Sequence, residues 1–134
     1  MKDREKKVVE ILNKKSQQVF KLCENEFEHY DAYSDKYIVE IKCRNAVYDT
    51  KIIEAVKLFN NLHIANSKDK IFLYVVSEPE GMYVFNMSKI ARTGKLPMLE
   101  AMVMPDRTEF GETKRMIKYI YQLDFWSAAK YYRY

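Results

Sequence analysis

Asp31, Glu40 and Lys42 are the residues of this chain whose types and spacing best suit catalysis. Two carboxylates on neighbouring strands make a hard oxygen site, the kind that takes Mg2+ or Mn2+. A divalent ion held there suits phosphate chemistry, because it polarises a phosphate oxygen and acidifies water. A lysine two residues along can orient that water or stabilise charge growing on the phosphate. Without a cation, two carboxylates beside an apolar sheet repel each other and lose hydration.

The elements that must position them are a hairpin and what packs on it. Residues 36–43, KYIVEIKC, are β-branched and aromatic enough to predict a strand. Side chains alternate along a strand, so Glu40 and Lys42 share a face with Ile38. Ser34-Asp35 is a suitable tight turn, which sets Tyr33 opposite Lys36 and Asp31 opposite Ile38. Antiparallel partners project to one face, so Asp31 joins Glu40 and Lys42 there. A slip of two residues would keep that face.

Around the hairpin, residues 3–14 predict an amphipathic helix with Val8, Val9 and Leu12 on one side. Residues 17–24 and 26–33 alternate as strands do, completing a three-stranded meander with 36–43. Residues 46–64 change to helical period. Tyr48, Ile52, Ala55, Val56, Phe59 and Leu62 form the stripe, and Asp49 or Thr50 is the cap. Residues 70–77, KIFLYVVS, read as a strand buried on both faces, and its place after a helix predicts a parallel crossover. Residues 82–87 predict another strand and 99–104 a short one. Residues 111–123 predict a helix beginning near Glu112. The fold class is therefore α/β, a central mixed β-sheet flanked by helices, with an aromatic, basic C-terminal extension over 91–134.

An acid ending one strand, a short hairpin and Glu-x-Lys in the next resembles the PD-(D/E)XK nuclease superfamily, which includes restriction enzymes and Holliday-junction resolvases. The order helix, three-strand meander, helix, buried strand is similar to its restriction-endonuclease-like αβββαβ core, over roughly residues 3–86. The resemblance implies that Asp31 and Glu40 ligate Mg2+ or Mn2+ and that Lys42 serves the attacking water. It implies a metal-dependent nuclease acting on DNA, or less readily RNA. The alternative is a catalytically silent module of the same fold that binds nucleic acid or protein. The residue before Asp31 is Tyr30 rather than proline. Small size implies a homodimer or a protein partner, as junction resolvases have.

Members of the superfamily often carry an acid on the first helix, facing the site. Helical angles put Glu5 within the apolar stripe and Glu10 opposite it, so Glu5 is the candidate third metal ligand. Lys51, flanking the second stripe, is a candidate catalytic or phosphate contact, while Glu54 and Lys57 fall on its far side. Arg44 and Asn45, directly after the strand, can contact a nucleic-acid backbone. His29 is spaced to share the face of Asp31 and reads better as hydrogen-bonded than as a general base; His63 reads as structural. Lys114, Arg115 and Lys118 cluster within the predicted last helix and are candidate nucleic-acid contacts. They and the tail Lys130–Tyr134 suit phosphate contact and base stacking, or a segment docked by its aromatics.

The whole chain agrees with a single domain. It has 134 residues, about half of them apolar, with three glycines and three prolines. A net charge of +4 permits a polyanionic partner without demanding one. Cys23 and Cys43 fit neither a disulfide framework nor a zinc motif and read as buried thiols. No run approaches the ~20 apolar residues that span a bilayer, and the charged start MKDREKK is not a secretory signal. The expectation is a cytoplasmic protein without membrane contact, of a size that fits a phage or mobile element.

Overall fold

The computed structural model describes residues 2–24, 28–105 and 114–134. Helix α1 (Lys2–Lys15) carries Asp3 and Glu5 in its first turn and Lys14 and Lys15 in its last, complementing the helix dipole. Its buried stripe is Val8, Val9 and Leu12. Asn13 then fastens the exit, since its side chain bonds both the carbonyl and the N–H of Phe20, at 3.1 and 2.7 Å.

A six-stranded mixed sheet follows, ordered β1-β2-β3-β5-β6-β9. The meander is β1 (Lys21–Leu22), β2 (Ala32–Tyr33) and β3 (Tyr37–Cys43), each antiparallel to the next. The stretch 17–24 pairs in the sheet at Lys21–Leu22, and residues 26–27 of the expected second strand lie outside the described residues. β3 runs parallel to β5 (Ile71–Glu78) over seven pairs, with Glu40 opposite Tyr74. β5 turns back into β6 (Gly81–Asn86), which pairs with β9 (Lys130–Arg133) from the tail. The fold is thus α/β, with a mixed sheet flanked by helices.

The crossover between β3 and β5 differs from the expected helix over 46–64. Residues 50–54 form a strand, β4 (Thr50–Glu54), and helix α2 (Ala55–Ser67) starts only at Ala55. Thr50, Ile52 and Ile53 favour extended backbone, and β4 has a ladder partner 70 residues later in β8 (Arg115–Asp124), running from Thr50↔Asp124 to Glu54↔Ile120. The phase of α2 moves accordingly. It buries Ala55, Leu58, Asn61 and Ala65, while Val56 and Phe59 are exposed.

Of the expected helix over 111–123, residues 115–123 are also strand. β8 pairs with β4 on one side and β7 (Glu100–Pro105) on the other, making a second sheet ordered β4-β8-β7. Tyr121 and Leu123, two apart, are buried on one face of it, as strand alternation requires. Glu112, the expected helix start, lies outside the described residues. A short helix α3 (Met87–Arg92), capped by the Asn86 side chain, follows β6.

Helices cover both faces of the large sheet. Val39, Ile41, Leu73 and Val75 pack with Val8, Val9 and Leu12 of α1. Ile38, Phe72, Tyr74 and Val76 pack with Ala55, Leu58 and Ala65 of α2, together with Ile53, Tyr121 and Leu123 of the second sheet. Among the described residues no helix is long and apolar enough to cross a membrane.

Gly81 lets β9 approach the β5–β6 turn. A Cβ there would stand 2.5 Å from the Tyr131 hydroxyl and 2.6 Å from the Tyr132 carbonyl oxygen. The second contact is backbone and cannot swing aside. Gly81→Ala should therefore push β9 off β6 and lower stability by ~1–3 kcal/mol. Denaturant unfolding tests this; a variant as stable as the parent would show that β9 adds little to the fold.

Candidate active site

The hairpin register brings the acids together. Ser34 N–H bonds the Tyr37 carbonyl at 2.9 Å, so the tip is Asp35-Lys36 rather than Ser34-Asp35. Tyr33 consequently faces Ile38, not Lys36, a slip of two from the expected pairing. The slip leaves every side chain on its expected face and moves Asp31 from Ile38 towards Glu40. Asp31 is then pinned across the hairpin. Its N–H bonds the Val39 carbonyl at 2.8 Å, and its Oδ2 accepts the Ile41 N–H at 2.7 Å.

Glu40 is buried on the α2 face of β3, only 6 % exposed. It shares a cavity of about 230 Å3 with Asp31, Glu28, His29, Lys57 and Asn61. Lys57 Nζ meets Glu40 Oε1 at 3.1 Å. Lys42 lies two residues along on the same face, half-buried, in an adjoining cleft of about 210 Å3. Glu40 and Lys57 line both spaces, so they join Asp31's side of the site to Lys42's. Arg44, Glu54 and Lys118 also line the second cleft, with Lys118 paired to Glu54 at 2.9 Å.

This crowding sets the protonation. Burial, and next the charge of Asp31, push the Glu40 carboxyl from its ordinary 4.5 up to about 7, against the charge and hydrogen bond of Lys57. Glu5 adds a smaller push in the same direction. Burial lowers Lys42, helped by the like charges of Arg44 and Lys57 and opposed by Glu54 and Glu40. Burial alone would lower Lys57 too, but the Glu40 charge and hydrogen bond outweigh it and leave Lys57 raised.

A stability profile follows from Glu40. Its folded pKa exceeds its unfolded value, so between about pH 4.5 and 7 the folded state holds a proton that the unfolded chain releases. Stability must fall as pH rises through that window, by up to ~3 kcal/mol from this group. Melts from pH 4 to 8 without divalent ions should show the decline, and Glu40→Gln should flatten it. An identical profile in Glu40→Gln would remove Glu40 as its cause.

The other expected site residues scatter. Lys51 does not flank a helix: it lies in β4, buried at 2 %, and pairs with Glu78 rather than facing Glu40. Lys57, expected on the far side of the helix, is instead the ion-pair partner of Glu40, because α2 begins later than the stripe implied. Lys114, Arg115 and Lys118 do not share a helix. Lys118 turns into the second cleft, while Lys114 and Arg115 are exposed at the start of β8. Arg44 is half-buried, its guanidinium carbon 5.8 Å from the centre of the Tyr48 ring. On α1, which packs on the other face of the sheet, Glu5 is half-buried and Glu10 exposed; Glu5 lines neither cavity and reaches Glu40 through its charge. His29 is exposed at the rim of the Asp31 cavity, and His63 is exposed on α2. Cys23 and Cys43 are free thiols, the first buried and the second half-buried. Glu28, Lys57, Asn60 and Asn61 also line the Asp31 cavity and were missed from sequence; the spacing of four between Lys57 and Asn61 joins those two once the helix phase is known.

Among the described residues no group of three or more His, Cys, Asp and Glu side chains is arranged to hold a metal ion. The donor pair still fits Mg2+ or Mn2+ chemically. Mg2+ keeps several waters and commonly takes only one or two carboxylates from the protein, with substrate oxygens supplying more. Glu40, whose proton affinity is raised first by burial and then by the charge of Asp31, is also a carboxyl group that a cation relieves. Compared with models of known protein families the chain matches none, and comparison with curated proteins finds no match.

Proposed function

We propose that this chain is a Mg2+- or Mn2+-dependent nuclease of the PD-(D/E)XK type, hydrolysing phosphodiester bonds of DNA or, less readily, RNA. The observation that carries the proposal is Asp31 and Glu40 lining one cavity, with Lys42 two residues beyond Glu40 on the same face. Strand order and direction support it. The meander β1-β2-β3 continues into a parallel β5 through a connection containing α2, and α1 packs on the opposite face.

Asp31 and Glu40 would hold the cation, with Glu5 near enough to add negative charge. When bound, the cation supplies the Lewis acidity that phosphodiester hydrolysis needs. The Ile41 N–H fixes one Asp31 oxygen, so that side chain enters the reaction already oriented. Lys42, lowered by burial and its cationic neighbours, exchanges a proton more readily than an ordinary lysine. It would orient the attacking water and offset charge growing on the phosphate. Lys57 holds Glu40, and Lys118 and Arg44 add positive charge where a phosphate backbone would enter.

One observation favours a silent binding module instead. The Lys57 ammonium already sits against Glu40, where it offsets part of the charge a cation would neutralise. End-labelled DNA and RNA incubated with Mg2+ or Mn2+ separate the two readings. Metal-dependent cleavage is the expected result. Retarded migration without cleavage would support the silent module, and neither effect would overturn both.

A further inference from the structure

Asn61 is the least satisfied polar side chain in the cavity. It is 0 % exposed, and among the described residues neither Oδ1 nor Nδ2 has a hydrogen-bond partner. A buried amide with both ends unpaired costs stability unless something fills its bonds. It is the one buried polar residue of α2, one helical turn beyond Lys57 and therefore on the same side of the helix. It lines the space bounded by Asp31, Glu40 and Glu28.

The wall of that space sets what can occupy it. Among the described residues that line it are the carboxyl groups of Glu28, Asp31 and Glu40 and the ammonium of Lys57. Acidic groups outnumber basic ones there, so the space suits a cation better than an anion. A volume of about 230 Å3 accommodates an ion with several of its waters. An amide oxygen is a hard, neutral donor of the kind that joins carboxylates around such ions.

We infer that Asn61 Oδ1 is the third protein oxygen of the divalent-cation site, completing the pair from Asp31 and Glu40. The assignment rests on the metal-dependent reading above and adds a residue from α2 to it. The site then spans the hairpin and the helix, so cation binding would tie α2 to β3.

The test is calorimetric titration of the full chain with Mn2+ alone, beside thermal melts without metal. Asn61→Leu replaces the amide with an apolar side chain of similar size. It should melt at or above the wild type without metal, because an unpaired buried amide is gone, yet bind Mn2+ at least tenfold more weakly. Asn61→Asp keeps an oxygen at that position and should bind Mn2+ at least as well as the wild type. It also serves if the leucine variant does not fold. Wild-type affinity in Asn61→Leu, or weakened affinity in Asn61→Asp, would overturn the assignment while leaving Asp31 and Glu40 as ligands. A wild type that takes up no Mn2+ would overturn the assignment and the metal site together.

Discussion

Replacing Lys51 with alanine should destabilise the protein by about 3–5 kcal/mol, more than most single changes at its surface or its rim. Lys51 Nζ contacts both Glu78 oxygens, at 2.9 and 2.8 Å, with the two side chains 1 % and 3 % exposed. It also donates to the Tyr48 carbonyl and lies 4.4 Å from the centre of the Tyr83 ring. Removing the lysine leaves a buried carboxylate that keeps, among the described residues, one hydrogen bond from the Tyr48 N–H, at 3.3 Å. Glu78→Ala should cost a similar amount, by stranding the ammonium. The double variant Lys51→Met/Glu78→Leu should recover most of the loss, because apolar replacement of a whole buried pair is often close to neutral. Urea unfolding of the four proteins measures each single loss and how much of it the double replacement recovers. A loss below ~1 kcal/mol in both single variants would mean that water reaches the pair and screens it.

Lys51 also illustrates what the sequence concealed. A lysine at the edge of an apolar stripe reads as solvated or functional, and nothing local indicates a carboxylate 27 residues away. Segments 50–54 and 115–124 each carry β-branched and aromatic residues, but their apolar spacing also suits a helix. Only the ladder joining them, from Thr50↔Asp124 to Glu54↔Ile120, decides for strands, and it is a long-range contact. Once β4 exists, α2 starts at Ala55 and its phase rotates, which turns Lys57 and Asn61 into the cavity and Phe59 out of the core.

The hairpin was far more legible. Tyr37–Cys43 is β-rich, its alternation is unambiguous, and a register error of two residues does not change a face. Asp31, Glu40 and Lys42 were therefore assignable to one side of the sheet without knowing the turn. The parallel strand Ile71–Glu78 was legible for a related reason, since an apolar run after a helix has few other places to go.

The second large effect concerns the acids. Asp31→Asn should cost at least a hundredfold in cleavage and remove most of the stabilisation by Mn2+. In the wild type that stabilisation is RT ln(1 + [L]/Kd), about 2.7 kcal/mol at a hundredfold excess over Kd. Without metal the variant should melt at or above the wild type. Its amide oxygen can still accept the Ile41 N–H, and the charge that raises Glu40 is gone. Glu40→Gln should behave in the same way. Lys42→Ala should separate the functions: it should keep the Mn2+ response and lose cleavage by ~10²–10⁴-fold, the usual contribution of a proton-transfer group. If both carboxylate variants respond to Mn2+ as the wild type does, the acids are not its ligands.

The most direct test of a metal-dependent site at Asp31 and Glu40 is a crystal soaked in Mn2+ and measured for anomalous scattering. The expected result is one strong peak within coordinating distance of both carboxylates, absent from an Asp31→Asn crystal treated alike. A fully soaked wild-type crystal with no peak beside Asp31 and Glu40, or with manganese bound only elsewhere, would contradict it.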